Sequence, residues 1–597
     1  MFRKILIANR GEIALRIVRA CRALGIRSVA MYSEADRDAP HVRLADEAWG
    51  CGPARATESY LDRERVVGIA RRCGAEAVHP GYGFLSENAG FAEAVAAAGL
   101  VFIGPSPEVL RTMGLKLPSR ERMRQAGVPV VPGGLEIEDI GEARRAAEEL
   151  GYPVFVKASA GGGGRGMRRV ETESALEPAI ERARSEAESA FGDGTIYLEK
   201  LLLEPRHIEI QILADGRGGV VHLGERDCSI QRRHQKLVEE APAFGIDPAL
   251  RARMGEAAVR AARAVDYEGA GTCEFLLDAA GEFYFLEMNT RIQVEHPVTE
   301  SVTGIDLVEM QIRIAAGEPL PFEQSQIAWD GHAIEARVYA EDPERGFLPS
   351  PGKIAAWSPP SGPGIRLDGG VVQGQTVSSH YDPLLAKLIA SGRDREQAIA
   401  RLEGALEEFA VAGIRTGLPF LRRVVAHPVF RAGRYDTGFI ERHLADPPPP
   451  LSDSMRARVL AAVALAAAGV GVGVGMDAGV GSGLGVDAGD GSGVDADVGD
   501  DADACAGDGA DVRGLAVSIG KEEPERVEWR PGELPFEVRV GDHGLEVEEL
   551  WRNGALLTGV FEGEVMRFSL VEKKDGLYEV GLRDRVLRVR CAREVSA

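Results

Sequence analysis

The sequence predicts a multidomain chain of mixed α/β and α+β type, and three observations support this fold class. Strand and helix patterns alternate in the N-terminal part, which is typical of a doubly wound parallel sheet. Antiparallel strands with flanking helices follow, among them a hairpin and a glycine-rich loop. Beyond the cluster Pro447–Pro450 the chain becomes low in complexity and then resumes short alternating runs. Its 597 residues are enough for several such domains.

The N-terminal region is predicted to form the parallel sheet, because each strand pattern is followed by a helix pattern. The predicted strands are Lys4–Ala8, Ser28–Tyr32, Ala77–His79 and Val101–Ile103. The predicted helices are Gly11–Ala23, Leu61–Arg72 and Phe91–Ala98.

Two further regions of mixed structure are predicted, from about Pro105 to Glu323 and from about Gly331 to Leu444. In the first, strands are expected at Tyr152–Lys157, Met167–Val170, Ile196–Lys200 and His207–Leu213, before a hairpin that turns near Ala280–Gly281. In the second, strands are expected at His332–Tyr339, Lys353–Trp357 and Gly364–Leu367, with helices at Glu396–Phe409 and Leu418–His427.

The C-terminal part is predicted to contain one helix, a tether and a small β domain. The helix is expected over Ser454–Ala468. Residues 469–511 are mostly Gly, Val, Asp and Ala, and such a stretch buries too little to offset its ordering entropy, so a disordered tether is predicted. Its Gly-Asp pattern lacks the strict period of a calcium-binding β-roll. The β domain has alternating runs at Phe536–Val540, Leu545–Trp551, Val565–Val571, Tyr578–Leu582 and Val586–Arg590.

Composition excludes several classes of function. A net charge of −22 argues against nucleic acid or an anionic membrane as the main partner, although ten of the acids lie in the tether between Asp477 and Asp511. Seven scattered cysteines without a CxxC pair indicate a reducing compartment and no zinc site. The N-terminus lacks the pattern of a signal peptide, and Val459–Met476 is too rich in Ala and Gly to predict a membrane span. A cytoplasmic protein is therefore expected.

The predicted hairpin carries a candidate metal site. If the turn lies near Ala280–Gly281, Glu274 faces Glu287 across the two strands, with Cβ atoms about 5 Å apart. Asn289 points to the same face as Glu287, because side chains two residues apart in a strand do so. A lone glutamate pair would also suit an ordinary hairpin with solvated acids. The adjacent Arg291 and Glu295, a cation and a candidate base, favour instead a site in which Mg²⁺ binds these oxygens and nucleotide phosphates.

The glycine-rich segment Lys157–Met167 is a candidate phosphate-binding lid. Because a strand and not a helix follows it, it matches neither a Walker A loop nor a dinucleotide-binding fingerprint. Consecutive glycines between strands can lie over phosphates and exclude water, although a flexible surface loop is the alternative. Lys157 and Lys116 supply point charges suited to phosphates. Further along, Glu199 at a strand end is a weak candidate for reading an adenine edge.

Taken together, these motifs resemble the biotin carboxylase component of biotin-dependent acyl-CoA carboxylases, an ATP-grasp family. The similarity covers residues 2 to about 444. The tail after Pro450 resembles the bridging region of bacterial acyl-CoA carboxylase α subunits only loosely. The matching motifs are Ile7–Ala14, His79–Asn88, Lys157–Met167, Glu225–Lys236, Glu287–Glu300 and Gly331–Arg337.

The resemblance implies a division into domains. They are an N-terminal Rossmann-like domain over 1–112, an ATP-grasp domain over 113–325 with its lid at about 131–203, a C-terminal biotin carboxylase domain over 326–446, a helix and linker over 447–514, and a β-rich accessory domain over 515–597.

The resemblance also implies roles for individual residues. ATP would contact Lys116, Lys157, Gly163, Gly164, Glu199, Leu202, His207 and His234. One or two Mg²⁺ or Mn²⁺ ions would be held by Glu274, Glu287 and Asn289. Bicarbonate would be held by Lys236, Arg291, Gln293 and Val294, with Glu295 as its base, and Arg337 would face the ureido oxygen of biotin.

The implied reaction is the ATP-dependent carboxylation of biotin through carboxyphosphate. Attachment of biotin in this family uses the Lys of a Met-Lys-Met sequence, and no Met-Lys pair occurs in this chain. The expected partners are therefore a separate biotin carboxyl carrier protein and a carboxyltransferase subunit, in addition to bicarbonate, with acetyl-CoA or propionyl-CoA as final acceptor and a homodimer as assembly. The family's Met-Gly-Asp-Lys motif has Leu115 in place of Asp, which changes the local environment of Lys116.

Two other functions are weighed against this one. A different ATP-grasp ligase, joining a carboxylate to an amine, needs only the lid, the lysines and the metal ligands, so the His79–Asn88 and Arg291–Glu300 motifs argue against it. A non-catalytic scaffold would not need four intact residues of the site, which are Lys236, Arg291, Glu295 and Arg337.

Overall fold

The computed structural model describes residues 1–137, 139–158, 167–191, 194–468, 473–474, 513–519, 522, 524–529, 536–553, 556–573, 577–582 and 585–593. The glycine-rich loop over 159–166, with Gly163 and Gly164, and nearly all of the predicted tether lie outside these residues. The chain divides into two compact units, Met1–Pro447 and Pro448–Ala597.

The first unit begins with the predicted parallel sheet, which has a fifth strand, Glu47–Gly52, that was not predicted. Its strands are β1 Lys4–Ile7, β2 Arg27–Ser33, β3 Glu47–Gly52, β4 Ala77–His79 and β5 Val101–Phe102, and its helices are α1 Gly11–Ala23, α2 Pro40–Leu44, α3 Arg63–Cys73 and α4 Ala89–Ala97. The order β3-β2-β1-β4-β5 reverses direction at β1, the arrangement of a doubly wound sheet. Helix α1 begins where β1 ends, and its buried face packs on the sheet.

A small antiparallel sheet of order β6-β9-β7-β8 follows two helices. The helices are α5 Pro107–Gly114 and α6 Lys116–Gln125, and the sheet consists of β6 Gly133–Glu136, β7 Val154–Ala158, β8 Met167–Val170 and β9 Ile196–Lys200 with α7 Ile140–Leu150 and α8 Leu176–Phe191. The glycine-rich loop connects β7 to β8, two strands that pair directly. This pairing confirms that the loop lies between two strands and not before a helix.

The centre of the unit is an eight-stranded antiparallel sheet of order β14-β13-β10-β11-β12-β15-β22-β20. These strands are β10 Arg206–Ala214, β11 Val220–Arg232, β12 Gln235–Ala241, β13 Gly269–Leu277, β14 Phe283–Asn289, β15 His332–Tyr339, β20 Ile365–Gly369 and β22 Leu384–Gly392. The sheet is continuous through β12 and β15, so strands on both sides of the boundary expected at residues 325/326 belong to one sheet.

Helices and short strand pairs complete this unit. The helices are α9 Pro248–Ala264, α10 His296–Thr303, α11 Leu307–Ala315, α12 Arg395–Glu408, α13 Leu418–Ala426, α14 Pro428–Arg431 and α15 Phe439–His443. The short pairs are β16 Glu341–Asp342 with β17 Leu348–Pro349, β18 Gly352–Lys353 with β21 Thr376–Val377, and β19 Ala356–Ser358 with β23 Ala410–Ala412. The predicted strand Lys353–Trp357 is therefore divided between two pairs.

The second unit is an eight-stranded antiparallel barrel with a helix in its core. Its elements are α16 Asp453–Ala467, β24 Gly473–Val474, β25 Arg513–Ile519, β26 Glu525–Trp529, β27 Phe536–Val540, β28 His543–Asn553, β29 Leu556–Phe561, β30 Glu564–Glu572, β31 Leu577–Gly581 and β32 Val586–Arg593. Consecutive strands pair from β25 to β32, and the pairing of β25 with β32 closes the ring. Every residue of α16 from Val459 to Ala466 is buried, as expected of a helix that is apolar on all sides.

Among the described residues no helix is both long and apolar enough to cross a bilayer. The first half of the segment Val459–Met476, which is apolar, belongs to the core helix α16 of the barrel unit.

Candidate functional site

A row of charged side chains crosses the central sheet. Adjacent strands place Arg226, Glu209, Glu274 and Glu287 in register across β11, β10, β13 and β14. This register confirms the predicted pairing of Glu274 with Glu287, and the turn contains Gly281, whose φ of 83° suits glycine. Three carboxylates in a row repel one another, so the row requires cations nearby.

Lys236 is the cation at the centre of this cluster. Its Nζ donates to Glu209 Oε2 at 2.6 Å, to Glu274 Oε1 at 3.0 Å and to Glu295 Oε1 at 2.6 Å. An ammonium group has three N–H donors, and here each reaches a carboxylate. Burial opposes the charge on Lys236, but the three carboxylates raise its pKa well above the usual range.

The fully buried Arg226 orients the neighbours of Lys236. Its guanidinium donates to Glu209, to Gln293 Oε1 at 2.8 Å and to Gln211 Oε1 at 2.7 Å. Gln293 in turn donates to Glu274 Oε1 at 2.7 Å. A guanidinium bonded on all sides fixes its partners in one geometry, so Glu209 and Gln293 are held in place before any ligand binds.

Glu295 lies between two cations. Its Oε1 accepts from Lys236 at 2.6 Å, and its Oε2 accepts from Arg337 Nη2 at 2.9 Å. Burial alone would raise the pKa of Glu295, but Lys236, Arg337 and Arg226 hold it well below the usual value. Glu295 is therefore an ionised, oriented carboxylate at neutral pH.

Arg337 connects Glu295 to a second carboxylate. Its Nε donates to Glu239 Oε1 at 2.5 Å, while its Nη2 donates to Glu295. Both glutamates and Arg337 are buried. Glu239 thus anchors the guanidinium to the sheet through Nε and Nη2, and Nη2 also reaches Glu295.

The predicted metal ligands have a donor set that suits a hard divalent cation. The carboxylate of Glu287 has no hydrogen bond or ion pair with the described residues, and desolvation together with the Glu274 charge raises its pKa. A cation between the two carboxylates would relieve this repulsion. Asn289 donates to Glu274 Oε1 at 2.9 Å and accepts from Arg291 Nη2 at 2.9 Å, so its amide lies beside the pair. Oxygen donors of this kind fit Mg²⁺ or Mn²⁺.

A second group of predicted residues lies around the small sheet. Lys157 on β7 forms an ion pair with Glu199 on β9, and Glu199 also binds Arg120 of α6. Burial, followed by repulsion from Lys116 and Arg120, lowers the pKa of Lys157 to about 8. Lys116 is exposed at the start of α6, after Leu115.

The remaining predicted residues border these two groups. His207 contacts Glu274 Oε2 at 3.1 Å and is buried, whereas Leu202 is half-buried just after β9. His234 lies on the exposed turn between β11 and β12, with a φ of 67°. The structure thus brings His207 to the acidic row and leaves His234 at a loop tip.

Arg291 and Val294 are fixed by contacts outside the hairpin. Arg291 Nε donates to Glu87 Oε2 at 2.9 Å, which connects it to the His79–Asn88 motif. The carbonyl of Val294 accepts from the buried Nζ of Lys387 at 2.8 Å.

Sequence reasoning missed several residues of this site. Four residues that were not predicted as site residues each contact one that was, and they are Glu209, Arg226, Glu239 and Arg120. The alternation His207-Ile-Glu209-Ile-Gln211 did signal a polar strand face. The partner strands that complete the face are distant in sequence, so no local pattern could identify them.

Comparison with known proteins identifies relatives over the first unit. Family models match residues 1–110 (biotin carboxylase, N-terminal domain), 116–323 (carbamoyl-phosphate synthase L chain, ATP binding domain) and 335–442 (biotin carboxylase C-terminal domain). Biotin carboxylase 2 of Bacillus subtilis is 54% identical over 445 residues, which cover 74% of this chain and 100% of that protein.

Solved structures show the same similarity. A biotin carboxylase domain dimer of the Hydrogenobacter thermophilus 2-oxoglutarate carboxylase, in complex with MgADP, ADP and bicarbonate, is 50% identical with a TM-score of 0.70. It covers 74% of this chain and 98% of its own length. A Campylobacter jejuni biotin carboxylase complex with a β,γ-ATP ligand is 48% identical with a TM-score of 0.71 and covers 74% and 99%.

Proposed function

This chain belongs to the biotin carboxylase family, and on that premise we propose how its residues carry out the ATP-dependent carboxylation of biotin by bicarbonate. The observation that carries the assignment of roles is the position of Glu295, whose two oxygens lie 2.6 Å from Lys236 and 2.9 Å from Arg337. One cation suits a bicarbonate ion, and the other suits the oxyanion of biotin.

We assign bicarbonate binding to the end of the cluster near Lys236. A bicarbonate ion replaces some of the carboxylates around Lys236 and Arg291 as their anionic partner, and Gln293 and the backbone of Val294 limit its orientation. Glu295 then removes the proton of bicarbonate. The low pKa of Glu295 keeps its carboxylate ionised, and its fixed position places it close to the bound ion.

We assign the nucleotide to the side of Lys116, Lys157, Glu199, Leu202, His207 and His234, with Gly163 and Gly164 of the lid. When bound between Glu274, Glu287 and Asn289, Mg²⁺ or Mn²⁺ supplies positive charge that neutralises the transferring γ-phosphate. Lys157 and Lys116 add point charges on the same side, and Glu199 holds Lys157 by an ion pair. Bicarbonate attack on the γ-phosphate gives carboxyphosphate and ADP.

We assign the second half of the reaction to Arg337. Carboxyphosphate breaks down to CO₂ and phosphate, the phosphate takes the proton from biotin N1, and the enolate attacks CO₂ to give carboxybiotin. A guanidinium beside the ureido oxygen stabilises the enolate as an oxyanion hole does. Once Glu295 has accepted a proton, its hold on Arg337 weakens, which frees that side of the guanidinium for biotin.

Partners are proposed from the chemistry and the family. We infer that biotin arrives on a separate biotin carboxyl carrier protein, that a carboxyltransferase subunit uses the carboxybiotin, and that two copies of the chain form a homodimer, as in the Hydrogenobacter relative. The cysteines that the structure describes are all free thiols, which supports a reducing, cytoplasmic location.

The test is phosphate release measured with and without bicarbonate and free biotin. The wild-type protein should require both for full activity, Glu295→Gln should lose about 100-fold or more in turnover, and Arg337→Ala should keep bicarbonate-dependent ATP hydrolysis while losing its stimulation by biotin. If phosphate release does not depend on biotin and instead requires an amine, the protein is a different ATP-grasp ligase.

A further inference from the structure

Two buried carboxyl groups behind Arg337 have no role in the reaction as described. Glu239 on β12 and Glu335 on β15 lie directly opposite each other in the strand register. Both are fully buried. Directly opposed residues in an antiparallel pair have Cβ atoms about 5 Å apart, so the two carboxyl groups are within reach of each other.

The hydrogen bonds of this pair are incomplete. Glu239 uses Oε1 to accept from Arg337, but its Oε2 has no partner. Neither oxygen of Glu335 has a hydrogen-bond partner among the described residues. An isolated buried carboxylate is very costly, whereas a neutral carboxylic acid needs only one acceptor for its O–H. The directly opposed residue, Glu239, has a free acceptor in its Oε2.

The surrounding charges leave no cation for a second carboxylate. The groups that face the pair are Arg337 on β15, Lys236 on β12, Cys228 on β11, Lys387 on β22 and Glu295 before α10. Arg337 already binds Glu239 and Glu295, and Lys236 binds three glutamates. Lys387 is committed to Glu12 at 3.2 Å and to the Val294 carbonyl at 2.8 Å.

We propose that Glu239 and Glu335 act as a carboxyl pair that shares one proton and, through Glu239, positions Arg337 for biotin. The single negative charge of the pair holds the guanidinium at both Nε and Nη2, each of which lies 2.5 Å from Glu239 Oε1. Nη2 then exchanges its contact with Glu295 for one with the enolate oxygen, while Glu239 keeps the arginine in place. This inference rests on the proposed function, because it assigns Glu239 and Glu335 as positioning residues for the biotin step of that reaction.

The pKa shifts agree with one proton on the pair. Burial, and then the neighbouring charges of Glu239 and Glu295, raise the pKa of Glu335 well above its usual value despite the opposing effect of Lys387. Burial also raises the pKa of Glu239 to about 7, although Arg337 opposes this. Glu335 thus stays neutral, and Glu239 gains its own proton only as the pH falls through about 7. Below that pH the anchor of Arg337 loses its charge.

The experiment separates the biotin step from the step before it. Phosphate release is measured across pH with bicarbonate alone and with bicarbonate plus free biotin. The proteins compared are wild type, Glu239→Gln, Glu335→Gln and the matched control Glu341→Gln, which changes another buried glutamate, on β16. We expect Glu239→Gln to lose about 100-fold in biotin-dependent turnover, the magnitude of one lost oxyanion contact, with biotin-free ATP hydrolysis within about threefold of wild type.

Glu335→Gln copies the neutral acid, so both activities should stay within about threefold of wild type, as in the control. In wild type and Glu335→Gln, biotin-dependent turnover should fall as the pH drops through about 7, and in Glu239→Gln this fall should be absent. If Glu239→Gln does not fold, Glu239→Asp replaces it, keeps the charge one methylene further from Arg337, and should still lower biotin-dependent turnover more than ATP hydrolysis.

Three results would overturn the proposal: equal losses of both activities in the Glu239 variants, persistence of the acid limb in Glu239→Gln, or a loss in Glu335→Gln as large as in Glu239→Gln. Failure of the proposed function looks different, because wild type itself would then show no phosphate release dependent on bicarbonate and biotin.

Discussion

Single residues decide the electrostatics of this site, and Lys236 is the clearest case. In the wild-type protein Lys236 Nζ lies within 3.0 Å of three carboxylates, those of Glu209, Glu274 and Glu295. The substitution Lys236→Gln removes this shared cation. The pKa of Glu295 should rise toward its usual range, because Lys236 is the largest of the groups that lower it. We expect the KM for bicarbonate to rise by about 100-fold, roughly 3 kcal/mol, while the KM for ATP changes little.

Steady-state kinetics with each substrate varied in turn measures this split, and Lys236→Arg is the control that keeps the charge. Since the unpaired glutamates regain protons at higher pH, the acid limb of the variant's pH profile should move upward. An unchanged KM for bicarbonate would contradict the role given to Lys236.

A second residue links the pH of the solution to stability. Glu240 accepts from His332 Nε2 at 2.7 Å and from Arg395 Nε at 2.7 Å. Burial opposes its ionisation, yet these partners lower the pKa of Glu240 to about 2. A depressed pKa contributes stability that is present above the unfolded value of 4.5 and is lost as the pH falls from there toward about 2. The contribution is about 3 kcal/mol.

Urea unfolding between pH 5 and pH 3 should therefore show a steeper loss of stability in wild type than in Glu240→Gln. The variant itself should be less stable at neutral pH, because Arg395 then lies buried beside an uncharged partner. If the free energy of unfolding falls equally with pH in wild type and in Glu240→Gln, other carboxylates dominate acid unfolding.

At the scale of elements, helix α6 begins without a cap. Leu115 occupies its N-cap position, makes no side-chain cap hydrogen bond, and is 58% exposed. The family's Asp at this position would accept from the first turn and favour the positive end of the helix dipole. The substitution of Asp by Leu thus has a physical consequence, which is a less firmly fixed start for the helix that carries Lys116.

Leu115→Asp should stabilise α6 by about 1 kcal/mol. Amide hydrogen exchange over residues 116–125 should slow, and the KM for ATP should fall if a firmer helix start improves the placement of Lys116. Leu115→Ala, which cannot cap, is the control. Equal exchange in the two variants would show that the cap does not limit this helix.

Elements with a clear period were predictable, and elements whose partners lie elsewhere were not. Helix Gly11–Ala23 and strands Ile196–Lys200 and His332–Tyr339 follow the sequence pattern to the residue. Strand Leu384–Gly392 was missed because Lys387 interrupts its apolar run. That lysine is buried only because Glu12, the Val294 carbonyl and, at 4.0 Å, Asp368 converge on it, which no local signal reveals.

In the site, too, contacts between residues distant in sequence could not be predicted. The hairpin turn fixed Glu274 opposite Glu287, so this pairing was predictable from spacing alone. The contacts of Arg337 with Glu239 and Glu295 join residues 98 and 42 positions apart. The identity of Arg337 as a site residue came from the family motif, whereas its anchor Glu239 required the structure.

At the scale of the whole molecule, the residues assigned to catalysis all lie in the first unit, Met1–Pro447. The Bacillus subtilis relative is matched over its entire length by 445 residues of this chain, which shows that a complete protein of this family needs no barrel unit. The barrel has its own closed sheet and its own apolar core around α16. Each unit therefore has the features of an independent folding domain.

We predict that a protein ending at Pro447 keeps the bicarbonate- and biotin-dependent release of phosphate within about threefold of the full chain, since independent domains leave each other's sites unchanged. In calorimetry the full chain should show two unfolding transitions. The truncated protein should lack the transition of the barrel unit and keep the other at the same Tm. A variant with Leu460→Asp in the centre of α16 is the matched control, because a buried unpaired charge should unfold the barrel alone. A large loss of turnover with free biotin in both proteins would show that the barrel unit supports catalysis directly. If turnover is lost only when biotin is attached to the carrier protein, the barrel unit acts in the assembly of the complex.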